Sequence, residues 1–98
     1  MAYLKSKAAL RKKEHEWLDH CKMTVEPCEK CGSTLSPTLD HIIPLDLIRQ
    51  FGIDVGKWWD KENVQLLCRR CNQFKGNRLD FADKRTKELL LKYLDNIV

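Results

Sequence analysis

Cys28-Glu29-Lys30-Cys31-Gly32 and Cys68-Arg69-Arg70-Cys71-Asn72 decide how this chain folds. Two intervening residues let each cysteine pair chelate one ion from a single turn, and four soft thiolates make a closed tetrahedral zinc site. Such a site keeps no open coordination position, so it does not activate water. Its task is structural: the ion ties the segment before one strand to the turn after another, and folding depends on it. Gly32 suits the tight positive-φ turn that aims both thiolates of the first knuckle at one ion.

Outward from the knuckles, Thr38-Leu39-Asp40-His41-Ile42-Ile43 reads as a short strand ended by Pro44, and Val64-Gln65-Leu66-Leu67 as a second. Asn72 opens a helix that Gly76-Asn77 closes. Leu4 to Met23 reads as an amphipathic helix whose stripe is Leu10, Trp17, Leu18 and Cys21. Asp46 to Phe51 forms a helical turn closed by Gly52. Residues 52–62 form a loop whose Trp58 and Trp59 are half core and half surface. Asp80 N-caps a last helix that buries Leu89, Leu90, Tyr93, Leu94 and Ile97. The fold class is α+β.

Length allows one domain and no second core. A composition of 43% hydrophobic and 33% charged residues is globular rather than disordered. No apolar h-region or membrane-length apolar run is present, so the five cysteines read as ligands of a cytoplasmic protein, with Cys21 left to pack as a small apolar residue. The net charge of +4 is modest but clustered. Lys5, Lys7, Arg11, Lys12 and Lys13 load the first helix, Arg69 and Arg70 sit inside the second knuckle, and Lys75, Arg78, Lys84, Arg85 and Lys87 follow it. Clusters of this kind favour a polyanion, although a basic helix face is also an ordinary solvated one. His15 and His20 share no face and read as solvated.

Asp40, His41 and Asn72 have no evident structural duty. A carboxylate and an amide oxygen make a hard site suited to Mg²⁺, and an imidazole of ordinary pKa near 6.5 serves as a general base at neutral pH. Neighbours on a strand point to opposite faces, so a strand end or bulge is needed for Asp40 and His41 to share a cleft.

These blocks, Cys-x-x-Cys-Gly, Leu39-Asp40-His41-Ile42-Ile43-Pro44, Glu62-Asn63-Val64-Gln65-Leu66-Leu67-Cys68 and Cys71-Asn72-x-x-Lys75-Gly76, resemble in order and spacing the HNH endonuclease (ββα-metal) family with a four-cysteine zinc site. Phage junction-resolving endonucleases look similar at the same positions. The resemblance implies a small zinc-stabilised ββα-metal core with flanking helices: a basic N-terminal helix at 1–24, the core at 25–78 and a C-terminal helix at 79–98, together one domain over 1–98. It implies a phage or bacterial metal-dependent DNA endonuclease, acting in the cytoplasm (the host's, if phage-encoded). His41 stands at the general base, Asp40 and Asn72 at the ligands of a catalytic divalent ion, and Asn63 at the asparagine that fixes the loop orienting the histidine. The chain reads His-Asn-Asn, which shifts metal preference towards Mg²⁺ or Mn²⁺ over Zn²⁺ or Ni²⁺. Cys28, Cys31, Cys68 and Cys71 hold the structural zinc. Lys75, Arg78, Arg69, Arg70, Arg11, Lys12 and Lys13 are the candidates for DNA contact, and a homodimer or a larger DNA-processing protein is the candidate partner. The reading from another class is a non-catalytic zinc-knuckle module that binds nucleic acid.

Overall fold

The two expected strands form and pair with each other. The computed structural model describes residues 2–95. In chain order the elements are β1 (Ala2–Tyr3), α1 (Lys7–Met23), β2 (Pro37–His41), α2 (Leu45–Gln50), β3 (Trp58–Trp59), a 3₁₀ turn (Lys61–Asn63), β4 (Val64–Cys68), α3 (Arg69–Lys75) and α4 (Lys84–Asp95). β2 and β4 are antiparallel, with Asp40 opposite Gln65 and His41 opposite Val64. α3 follows β4 without a linker, which completes a ββα unit within an α+β fold.

β2 is shorter than the apolar run suggests because Asn63 replaces part of the ladder. Its carbonyl accepts from the Ile42 amide at 2.8 Å. Its side-chain Oδ1 accepts from the Ile43 amide at 2.8 Å, and its Nδ2 donates to the Ile43 carbonyl at 3.1 Å. A fully buried side-chain amide thus stands in for a peptide group and satisfies backbone that would otherwise be orphaned.

Two separate apolar clusters result. Ile42, Ile43, Ile48, Ile53, Val55 and Trp58 pack with Leu89 and Tyr93 of α4, and the Trp58 and Tyr93 rings meet edge to face at 5.3 Å. The smaller cluster is Leu67 with Cys28, Cys68 and Cys71. The chain's main core therefore lies outside the ββα unit, between the 42–58 excursion and α4.

Several expectations need correction. The 52–62 segment is not all loop, since Trp58 and Trp59 pair with Tyr3 and Ala2 in a second two-stranded sheet, a long-range pairing that no local pattern announces. Trp58 is buried rather than shared with solvent, and Trp59 is half-buried. α1 starts at Lys7, because Ser6 caps it by accepting from the Ala9 amide. α3 starts at Arg69 rather than Asn72. Asp80 does not cap α4; it closes the preceding turn on the Ala82 amide, and Asp83 accepts from the Arg85 amide beside the helix start. Leu94 is exposed, and Ile97 lies outside the described residues. Gly52 (φ 86°) and Gly76 (φ 56°, ψ −136°) close α2 and α3 in backbone regions that favour glycine.

Candidate active site and metal centre

The cysteine cluster is assembled by backbone. Gly32 (φ 77°) turns the first knuckle so that its amide reaches the Cys28 carbonyl at 2.9 Å. Glu29 stitches that knuckle to β4: its amide donates to the Leu66 carbonyl at 3.0 Å, and its carboxylate accepts from the Leu66 amide at 2.9 Å. The Cys68 sulfur caps α3 by accepting from the Cys71 amide.

The four sulfurs of Cys28, Cys31, Cys68 and Cys71 lie within 4.8 Å of one another, and Cys31 and Cys68 are 3.6 Å apart. Tetrahedral zinc with Zn–S bonds of about 2.3 Å places its sulfurs roughly 3.8 Å apart, so the donor set fits. Burial pushes the Cys28 thiol up, but the amides of Cys68, Cys31 and Lys30 outweigh it and bring the group down to about 6. Hydrogen bonding among the thiols, with Cys68 first, pushes Cys71 up to about 12. One thiolate comes easily; four together need a cation, which zinc supplies.

Asp40, His41 and Asn72 line one cleft of about 300 Å³, walled by Pro44, Gly76 and Asn77. α3 covers the face of β2 that carries Thr38 and Asp40, two residues apart on one side of the strand. The Asn72 Nδ2 donates to the Thr38 hydroxyl at 2.8 Å, and that hydroxyl donates to the Leu67 carbonyl at 2.7 Å. Asn72 is therefore held by its nitrogen, with its amide oxygen left as the donor atom for a ligand. It sits in the middle of α3, not at its start, so the first-turn amide of Cys71 serves the cysteine cluster instead of the cleft.

Asp40 is 7% exposed and held from two sides, by Gln65 Nε2 at 2.9 Å and by Lys75 Nζ at 3.2 Å. Both contacts fall on Oδ2. The Gln65 amide is oriented in turn by Arg85 of α4, which donates to its Oε1 at 2.8 Å while bound to Asp83 and Glu29. Lys75, expected at a DNA phosphate, turns inward: its ammonium also donates to the His41 carbonyl at 2.9 Å, and its side chain is 9% exposed. Burying the ammonium carries a desolvation cost, but it spares Asp40 from being a buried carboxylate without a counter-charge.

His41 is the last residue of β2, and that position lets it share the cleft. Burial lowers its pKa, Asp40 partly offsets this and Lys75 lowers it further, so the imidazole is neutral at neutral pH. Its Nε2 lies 3.9 Å from Glu14 of α1, whose own pKa burial raises. Sequence reading missed Glu14, Gln65 and Arg85. Only Gln65 carries a local signal, a polar residue within an apolar strand.

Arg69, Arg70, Arg78, Arg11, Lys12 and Lys13 are all exposed. The last three lie on α1 and the others on or just past α3. Arg78 donates to the Phe74 and Lys75 carbonyls at the end of α3. Among the described residues no helix is long and apolar enough to cross a membrane.

No curated protein and no solved structure matches the chain. Among protein families, residues 28–78, just over half of the chain, match HNH endonuclease. The match spans both knuckles, β2, the Asn63 clamp, β4 and α3, and on that ground the chain belongs to the HNH endonuclease family.

Proposed function

We propose that the protein is a metal-dependent DNA endonuclease hydrolysing phosphodiester bonds, with 1–98 acting as a single domain. The observation that carries this reading is the common cleft of Asp40, His41 and Asn72, framed by a cysteine cluster that takes no part in the chemistry. Binding nucleic acid alone requires no neutral, half-buried imidazole beside a carboxylate.

His41 is the general base. Its neutral imidazole accepts a proton from the water that attacks phosphorus in line with the leaving 3′-oxygen. Asp40 and Asn72 offer a carboxylate and an amide oxygen, the donor set of Mg²⁺ or Mn²⁺. Bound there, such an ion would neutralise charge on the scissile phosphate and on the leaving oxygen. Asn63 is a positioning residue: by clamping Ile43 it fixes the backbone that follows the base. The exposed arginines of α3 and the basic face of α1 supply sequence-independent attraction to phosphates.

Supercoiled plasmid incubated with Mg²⁺ or Mn²⁺ tests the proposal. Wild-type protein nicks it, and His41→Ala slows nicking by about 10²–10⁴-fold, with zinc content and circular dichroism unchanged. Equal nicking by His41→Ala removes the base assignment. No cleavage by wild-type protein of plasmid, junction or single-stranded DNA with any divalent ion returns the chain to a binding module.

A further inference from the structure

α3 separates two concavities. Asn72 and Gly76 face the cleft described above; Arg70, Phe74 and Arg78 face a second one of about 590 Å³ on the other flank, reached also by Lys30, Leu79 and Asp80. Phe74 is 79% exposed although it is a large apolar side chain on a well-formed helix. Nothing in the fold needs it there. The Arg78 guanidinium lies 5.2 Å from its ring centroid and is tied to the backbone at the end of α3, which keeps a cation beside the ring before any ligand arrives.

Lys75 is turned inward onto Asp40, and Lys30 engages the acid of the rim, Asp80, at 2.9 Å, so Arg70 and Arg78 carry the positive charge beside the ring. An apolar ring bordered by cations suits a ligand with a flat π-face and a negative backbone, and a single-stranded nucleic acid has both. An apolar protein partner would match the ring but not the arginines. A helix is about 10–12 Å across with its side chains, so a strand crossing α3 spans the two concavities within a few nucleotides.

We propose that Phe74, flanked by Arg70 and Arg78, is a stacking platform for an unpaired base of the DNA substrate, which makes strands with unstacked bases the preferred ligand. This rests on the endonuclease reading for the identity of the ligand, yet binding tests it without cleavage. The full-length protein, with no added divalent ion, is titrated against two labelled strands of about 12 nucleotides: oligothymidylate, and an abasic strand with the same phosphates. Wild-type protein prefers the thymidylate. Phe74→Ala binds it about ten-fold more weakly and loses the preference, while Phe74→Trp keeps it. Arg70→Gln lowers affinity for both strands and flattens the salt dependence by about one phosphate contact.

A Phe74→Ala protein that keeps the wild-type ratio overturns the platform, as does wild-type protein that binds both strands equally or neither. The exposed ring makes unfolding of the variant an unsuitable escape, and a melting curve checks it. Plasmid nicking, read separately, tells failure of the platform from failure of the endonuclease reading.

Discussion

Two buried carboxylates, Asp40 and Asp60, each sit against a lysine in this small chain, and only one of them faces a cleft. Asp60 is closed off: it accepts from the Tyr93 hydroxyl at 2.7 Å, the Lys92 ammonium at 3.1 Å and the Glu62 amide at 3.0 Å. It belongs to the apolar half, where Trp58 and Tyr93 meet. Asp40 belongs to the half tied by the cysteine cluster, and its contacts from Gln65 and Lys75 occupy one oxygen only. The difference teaches that burial and pairing do not by themselves mark a functional acid. What makes Asp40 the candidate is an oxygen without a protein partner among the described residues, in the cleft it shares with His41 and Asn72 and in the part of the fold that holds the cysteine cluster.

The strongest way to break that comparison is to remove the zinc. Among the described residues the apolar cluster at the knuckles is only Leu67 with the cysteines themselves, so a chelator strong enough to compete with four thiolates should melt the cysteine half. Cleavage and the Asp40 cleft are then lost together. The apolar half keeps its own packing, and the Trp58 fluorescence should remain largely native. Chelation of a Trp17→Phe, Trp59→Phe variant, followed by Trp58 emission and amide-proton exchange, checks this; simultaneous loss of every signal means one cooperative unit and ends the division into halves.

Exchanging each acid for its amide gives the next largest contrast. Asp40→Asn should lower metal-dependent nicking per folded molecule at least about a hundred-fold, and should also lower the melting temperature, because the buried Lys75 ammonium loses its counter-charge and keeps only the His41 carbonyl. Asp60→Asn should leave turnover per folded molecule intact while destabilising by about 2 kcal/mol, or roughly 8–16 °C for a domain of this size, so the contrast between the two acids is read in turnover. Plasmid nicking and thermal melts on both variants read the two columns. A turnover defect in Asp60→Asn would mean that the halves are coupled through β4.

Sequence alone carries the ligation half far better than the apolar half, and the reason is physical. Cys-x-x-Cys, Asp40-His41 and Asn72 announce themselves because ligand chemistry requires particular residue types at fixed spacing. Asn63 is legible as a motif residue, although its action as a substitute peptide group emerges only once β2 and β4 are paired. The apolar half depends on meetings across the chain that no window of sequence records: Tyr3 with Trp58, and Asp60 with Tyr93 and Lys92. Lys75 shows the same limit within the site. Its position on α3 suggested a phosphate contact, but whether it reaches outward or inward depended on the buried Asp40 carboxylate, set by another strand.

The smallest effect separates the two acids by pH. Burial raises the Asp60 carboxyl, but the Tyr93 hydroxyl, the Glu62 amide and Lys92 together hold it below its ordinary value. A folded-state pKa below the unfolded one means stability that is present above about pH 4 and is lost as pH falls through the folded value. Lys92 is shifted the other way: burial lowers it, but Glu62 and Asp60 outweigh that and raise it, so its share is present below the unfolded lysine pKa and disappears only in strong alkali. The Asp60 cluster is therefore a neutral-pH device with an acid limit set by one carboxylate. Urea midpoints of wild type and Asp60→Asn, compared at matched pH from 7 down to 3, should differ by a constant amount to about pH 5 and then converge. Every other acid titrates in both proteins and cancels in the difference, so a gap that stays constant to pH 3 would show that shape and hydrogen bonding, rather than the charge of Asp60, hold the apolar half together.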